Sequence, residues 1–166
     1  MAFIVESGSV IAFAEFADLV KRDQRLLDNN ESLTDDFCED TLIRSTTRIL
    51  ERIRGTDWWR TLYRKKFSNV NPKDIPAPNP NLIVGRIEDF TDLCVYTALA
   101  EYILPAVADF GNADSSERQK MGYYENRALS LFGELITFGD WYDWDDDGTV
   151  ETDEKEFGQF ALKRIR

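Results

Sequence analysis

The chain has 166 residues, 43% of them hydrophobic and 13% aromatic, which argues for one folded domain and against disorder. Its net charge of −11 disfavours tight binding to nucleic-acid phosphates, and its lack of histidine excludes Ser-His-Asp and Cys-His catalysis and histidine metal ligands. No apolar run is long enough to span a bilayer, and the start "MAFIVESGSV" lacks the basic region of a signal peptide, so we expect a protein kept in a reducing cytoplasm.

The first third of the chain predicts two helices after a short extended piece. Apolar residues at helical spacing indicate a helix over residues 12–28. A longer helix follows, with Thr34 as its N-cap, Asp35 and Asp36 in its first turn and Gly55 closing it at the C′ position. Its predicted apolar stripe consists of Phe37, Thr41, Ile43, Thr46, Ile49, Leu50 and Ile53.

The segment "TDWWRTLYRKKF" predicts a short helix with an aromatic cluster and a basic end. Trp58, Trp59 and Tyr63 either pack at a helix junction or anchor a protein partner. Four of the five prolines then fall within residues 69–81, which predicts an extended loop serving as a linker or as an interaction arm. The following "NLIVG" has the composition of a short strand.

Two more helices are predicted in the second half. Residues 87–110 are apolar on most faces and form the best candidate for a central core helix, which Pro105 kinks or ends. A long helix follows, capped by Asp114 with Glu117 as its capping-box partner. Its predicted stripe consists of Tyr124, Ala128, Leu131, Leu135 and Phe138. Cys38 and Cys94 both lie in helical patterns and are expected to be buried free thiols rather than a disulfide.

These elements predict an all-α fold. We expect a small bundle of about four or five helices with a long Pro-rich loop and an extended C-terminal tail. Residues 1–142 would form the helical domain, and residues 143–166 would form an acidic loop and the tail segment.

The acidic loop "DWDDDGTVETDE" has the spacing of a calcium-binding loop of the EF-hand type, whose twelve positions place oxygen ligands at 1, 3, 5, 7, 9 and 12 and glycine at 6. Gly148 occupies position 6, where it permits the sharp turn. The predicted ligands are Asp143, Asp145, Asp147, the Thr149 carbonyl, Glu151 through a water molecule, and Glu154 as a bidentate carboxylate. Oxygen ligands of this kind favour Ca²⁺ over zinc.

Three interpretations of this loop remain open. EF-hands usually occur in pairs, whereas this chain has one such loop, and the following "KEFGQFALKRIR" fits a helix or an extended tail equally well. The loop is therefore a solvated acidic turn, a calcium sensor, or a structural clamp. We expect a structural Ca²⁺ that fixes the C-terminal segment onto the last long helix.

Residues 11–138 resemble the head–tail connector proteins, also called adaptor or head-completion proteins, in the neck of tailed bacteriophages. The resemblance rests on the order and style of the helices: "FADLVKRDQRLLD", a polar linker, "TLIRSTTRILERIRG", a loop, "YTALAEYILPAVADFG" and "ERQKMGYYENRALSLFGELI". The Pro-rich insert departs from that pattern, and the acidic loop with "LKRIR" resembles a tail extension of some such proteins.

This resemblance implies a structural virion protein rather than an enzyme. Made in the host cytoplasm, it would assemble at the capsid vertex as a homo-oligomeric ring, typically twelvefold, bound to the portal and to tail proteins and without contact with a membrane. DNA would pass through the ring without specific binding, which suits an acidic chain. The alternative is a calcium-dependent binding module or sensor built on the single EF-hand-like loop.

Overall fold

The computed structural model describes residues 3–28, 30, 33–108, 116–152 and 154–155. Most of these residues are helical, so the predicted all-α class is confirmed. The helices are α1 Phe16–Asp28, α2 Asp35–Arg54, α3 Asp57–Lys66, α4 Ile87–Ala98, α5 Leu104–Val107 and α6 Ser116–Phe138. A π-helical turn, Leu99–Ile103, joins α4 to α5, and a 3₁₀ turn, Pro80–Leu82, lies in the long loop.

The extended N-terminal piece is a β-hairpin of β1 Ile4–Glu6 and β2 Ser9–Ala12. Ser7 and Gly8 connect the strands with positive φ angles of 52° and 82°, as the tight hairpin turns that match strand twist require. Directly after β2, the Phe13 backbone N–H donates to Thr46 of α2, and its carbonyl accepts from Thr91 of α4. The hairpin is thereby attached to both central helices.

Helix α1 bends at Asp23, whose φ of −147° and ψ of 67° are not helical. The Asp23 carboxylate accepts a hydrogen bond from the Leu26 N–H, which caps the second part of the helix. The same carboxylate accepts from Lys120 Nζ at 2.7 Å and from Tyr124 Oη at 3.2 Å. The bend therefore turns one carboxylate toward α6 and fixes α1 to it.

Helix α2 begins as predicted, because Thr34 accepts from the Phe37 N–H. It also ends at Gly55, as predicted, and this glycine has a right-handed φ of −72°. The predicted stripe was wrong at Ile43, which is 38% exposed. Instead α2 buries Cys38, Leu42 and Ser45 together with Thr41, Thr46, Ile49 and Ile53. Its buried hydroxyls are accommodated because they donate to helix carbonyls three or four residues earlier.

The segment Ile87–Val107 packs between α2 and α6 as the central helix, which confirms the predicted core element. It does not stop at Pro105, because the π-helical turn lies immediately before the proline and α5 runs on to Val107. The segment is long and apolar enough to cross a membrane, contrary to the expectation from sequence, and 61% of its most apolar window is buried inside the protein. The cap expected from Asp114 lies outside the described residues.

The two cysteines are free and buried, as expected. Burial raises the pKa of the Cys94 thiol to about 12 and that of the Cys38 thiol to about 11. On α6, Tyr124, Ala128 and Leu135 are buried as expected, but Phe138 is 44% exposed, so the predicted stripe ends one turn too late. Phe138 instead lies under the Arg86 guanidinium.

The Pro-rich loop packs against its own domain rather than extending from it as an arm. Ile75 is buried, Trp59 Nε1 donates to the Pro76 carbonyl at 2.9 Å, and Arg54 Nε donates to the Ile75 carbonyl at 2.9 Å. Farther along, the Asn81 side chain accepts from the Val10 N–H and donates to the Gly8 carbonyl. The loop thus connects α2 and α3 to the hairpin.

We predict opposite effects for two glycine-to-alanine substitutions. A Cβ at position 85 would lie 2.5 Å from the Asp140 carbonyl oxygen and 2.8 Å from Trp141 Cα, which are backbone atoms that cannot rotate away. Gly85→Ala should therefore lower the free energy of unfolding by about 2 kcal/mol or more. Gly133→Ala, at an open position of α6, should raise it by about 0.5–1 kcal/mol. Urea unfolding measures both, and equal midpoints would contradict the close approach at Gly85.

Candidate metal centre

The acidic loop starts from a short antiparallel pairing rather than from a helix. Helix α6 ends at Phe138, and the chain turns at Gly139, whose φ is 56°. The Trp141 carbonyl accepts from the N–H groups of Val84 and Gly85 at 3.1 Å each, and the Asp143 N–H donates to the Leu82 carbonyl at 2.9 Å. We call this pairing of residues 82–85 with residues 141–143 the seam. It places Asp143, the first predicted ligand, at a fixed point beside the core.

Aromatic rings hold the same segment from the side of α3. Trp141 is fully buried, and its Nε1 donates to the Leu135 carbonyl at 2.9 Å. Trp144, the second residue of the loop, stacks on Trp59 with ring centroids 5.1 Å apart and an interplanar angle of 20°. Tyr142 meets the same Trp59 ring edge-on at 5.0 Å. Of the two roles open for the tryptophans of α3, packing at a junction is therefore the one seen for Trp59.

The structure brings three of the predicted ligands together. One carboxylate oxygen from each of Asp143, Asp145 and Asp147 lies within 4.8 Å of the other two. Asp143 is only 1% exposed, whereas Asp145 and Asp147 are exposed. Asp143 Oδ1 accepts from the Asp146 N–H at 2.7 Å, and Oδ2 accepts from the Gly148 N–H at 2.7 Å, so the loop backbone winds around this carboxylate.

Glu154, at the last loop position, closes the loop onto its start. It is 5% exposed, and its Oε1 accepts from the Trp144 N–H at 2.8 Å. Its Oε2 accepts from the Glu151 N–H at 3.3 Å, which sets the position of that predicted ligand. Asp147 accepts from both the N–H and the hydroxyl of Thr149, at 2.9 Å and 2.8 Å. Glu154 therefore closes a turn within which the carboxylates of Asp143, Asp145 and Asp147 converge.

The electrostatics of the loop follow from this crowding. Burial acts to raise the pKa of Asp143, but hydrogen bonds from the backbone N–H groups of Gly148, Asp146 and Asp145 outweigh it and lower that pKa. The pKa of Asp145 is raised by burial and by the negative charges of Asp147 and Glu154. A bound divalent cation would offset this mutual repulsion, and the all-oxygen donor set suits a hard ion such as Ca²⁺.

Sequence reasoning missed the groups that hold the site in place. The spacing of carboxylates and glycine indicated the ligands, but neither the seam nor the buried Trp141 was part of that pattern. The one available signal was Gly85 at the end of "NLIVG", since glycine inside a strand-like stretch often marks close backbone approach. The segment 156–166, expected to follow the loop as helix or tail, lies outside the described residues.

No protein-family model, curated protein or solved structure matches this chain. The function is therefore inferred from the chain's own residues, contacts and charges, together with the resemblance in helix order.

We expect Ca²⁺ to stabilise the protein through these carboxylates. At about a hundred times its dissociation constant, a ligand that binds only the folded state adds about 2.7 kcal/mol of stability. Calorimetric titration and thermal melting should show one site in the wild type and its loss in Asp145→Ala, which has no side-chain oxygen to offer the ion. The matched control is Asp146→Asn, which removes an equal charge from the neighbouring, non-ligand position and should retain binding.

Two results would contradict this expectation. One is the absence of both heat and thermal shift for the wild type at millimolar Ca²⁺. The other is equal loss of binding in Asp145→Ala and Asp146→Asn, because that result would indicate a diffuse attraction to negative charge rather than a ligand set.

Proposed function

We propose that this chain is a structural protein of a tailed-phage neck that forms a ring, joins the portal to the tail and extends the DNA channel. The observation that carries the proposal is the order of the helices. The early helix α1, the 20-residue α2, the loop, the central α4 and the 23-residue α6 follow the succession on which the connector resemblance rests. In this role the chain is part of the virion and is not an enzyme.

Exposed apolar side chains on the long helices support a role in assembly. Tyr123 and Leu129 of α6 are 58% and 50% exposed, and Ile43 of α2 is exposed as well. A groove of about 490 Å³ runs between α2 and α6 and is lined by Met121, Ala128 and Leu129 among charged neighbours. Aromatic and apolar surface with a charged rim is typical of protein–protein interfaces.

The net charge of −11 suits a channel through which DNA moves. A lining of the same sign as the phosphate backbone repels it weakly and avoids the ion pairs that would retain DNA. In this proposal DNA moves through the channel of the ring, and the ring makes no sequence-specific contact with it.

We further propose that Ca²⁺ acts in this protein as a structural ion. The support is the way the loop is held: residues 141–143 belong to the seam, and Trp144 is stacked on Trp59. A sensor needs an element with two arrangements that the ion selects between. A loop fixed at its first two positions favours local stabilisation over such a switch.

The ring proposal predicts self-association and portal binding. Native mass measurement and negative-stain imaging of the 19.2 kDa chain should show ring-sized species, alone or with purified portal, and the protein should be present in purified virions. The proposal would be ruled out if the protein stays monomeric, does not bind the portal and is absent from purified virions. A portal assembly already carrying its neck proteins is the control for nonspecific adsorption.

The two roles of Ca²⁺ are separated by comparing stability with assembly. A structural ion should raise the melting temperature while leaving the distribution of oligomers the same in Ca²⁺ and in chelator. If Ca²⁺ instead changes oligomer size or portal affinity several-fold, the sensor interpretation holds and the structural one fails. Asp145→Ala, measured in Ca²⁺, should behave like the wild type in chelator.

A further inference from the structure

Charges of opposite sign are concentrated at the two ends of α2. Residues 35–40 contain four acidic residues and no basic one, and all four are exposed: Asp35, Asp36, Glu39 and Asp40. Among the described residues, only Asp40 of this set forms an ion pair, with Arg44 at 3.6 Å. We call this set the acidic end. Residues 52–73, which run from the last turn of α2 into the Pro-rich loop, contain seven basic residues and one acidic residue.

Four of those basic residues line a concave surface between α3 and the Pro-rich loop. We call this surface the basic groove and define it by Arg54, Arg60, Arg64 and Lys73. Glu51, which pairs with Arg54, and Asp57 also line it, so basic residues outnumber acidic ones by four to two. It consists of two adjoining hollows of about 240 and 280 Å³ that share Arg60, Pro72 and Ile75. Arg64 and Lys73 are exposed, and in the described part of the chain their side chains make no ion pair.

Internal needs of the fold account for only part of this pattern. Acids in the first turn of α2 and Arg54 in its last turn complement the helix dipole. Arg54 also pairs with Glu51 and donates to the Ile75 carbonyl, which holds the loop. Arg64 lies in the last turn of α3 and complements the dipole of that helix, and Arg60 donates to the Pro72 carbonyl at 3.5 Å. Neither contact neutralises the positive charges of Arg60, Arg64 and Lys73. These three charges are available to a partner.

The partner that best fits the groove is acidic protein rather than nucleic acid. A chain of net charge −11 repels a phosphate backbone as a whole, so one groove of four cations would bind it weakly. The chain itself presents four exposed carboxylates on one helix end, and among the described residues only Asp40 of them is in an ion pair. They are opposite in sign to the cations Arg60, Arg64 and Lys73 of the groove. Because α2 has 20 residues, its two ends lie about 30 Å apart.

We propose that the acidic end of one copy docks into the basic groove of the next copy. This inference rests on the proposed ring and names the interface that builds it. A contact between two different surfaces is head-to-tail, and repeating it gives a closed ring or an open filament, depending on the rotation per subunit. Local attraction also offsets the general repulsion between copies of the same net charge, so assembly should weaken as salt increases.

Two variants that each neutralise one surface test this pairing. Asp36→Asn/Glu39→Gln removes charge from the acidic end, and Arg60→Gln/Arg64→Gln removes it from the groove. Each variant alone should lose self-association at least about tenfold, which corresponds to about 1.4 kcal/mol. An equimolar mixture should form a one-to-one heterodimer that grows no further, because each copy retains one intact surface. Sedimentation velocity at about 0.1 M salt measures this, and about 0.5 M salt should dissolve the heterodimer.

Matched controls separate pairing from changes in folding or net charge. Glu134→Gln and Arg25→Gln neutralise exposed residues elsewhere, on α6 and α1, and should assemble like the wild type. Circular dichroism checks helix content. If Asp36→Asn weakens the start of α2, the variant Glu39→Gln/Asp40→Asn replaces it, since these positions lie beyond the first turn.

The outcomes distinguish this pairing from the neck proposal. A wild type that does not self-associate, a single variant that assembles like the wild type, or a mixture that stays monomeric would each overturn the pairing. The pairing would also be overturned if binding of a DNA duplex required Arg60 and Arg64 while self-association did not require them. If every one of these variants still binds the portal, the neck proposal holds and the proposed pairing fails. If the mixed variants form heterodimers but the protein does not bind the portal, the proposed pairing holds and the neck proposal fails.

Discussion

The structure depends on the seam, the backbone pairing of residues 82–85 with residues 141–143. Its three hydrogen bonds join the end of the Pro-rich loop to the segment that leaves α6, more than fifty residues later in the chain. The approach is so close that Gly85 has no room for a side chain. This contact adds to the attachments that the loop makes through Ile75, Pro76 and Asn81, and it supports the acidic loop at the point where the chain leaves α6. The seam therefore turns two irregular segments into part of the fold.

The seam also determines what the acidic loop can do. Asp143 is buried at the point where the pairing ends, and a buried carboxylate is tolerable only when it is fully hydrogen-bonded or paired with a cation. Backbone N–H groups of the loop supply that stabilisation, and the exposed Asp145 and Asp147 leave one side of the cluster open to an ion. Trp144 and Glu154 hold the two ends of the turn together. A site preformed in this way is suited to stabilisation by a cation and gives little scope for a large conformational response.

Local signals in the sequence predicted the helices well, and they indicated a ligand set of which the structure brings three carboxylates together. Thr34 and Gly55 bounded α2 because a cap and a terminating glycine act on their own neighbours, and the ligand spacing of the loop is local for the same reason. The seam could not be predicted, since it depends on two segments far apart in sequence. The exposure of Ile43 and Phe138 depends likewise on which faces the neighbouring helices cover. At the bend in α1, the Asp23 carboxylate binds Lys120 and Tyr124 of α6. The apolar periodicity of α1 carries no information about these distant partners, so the bend could not be predicted from it.

Hydrogen exchange of the seam amides tests the central claim most directly. The N–H groups of Val84, Gly85 and Asp143 should exchange only through global unfolding, with protection equal to that of core amides in α4. Their protection should fall in step with global stability as urea is added. Exchange of these three amides within minutes, while α4 stays protected, would contradict the account. The acidic loop would then be attached to the domain only loosely, and its preformed geometry could not underlie a structural cation site.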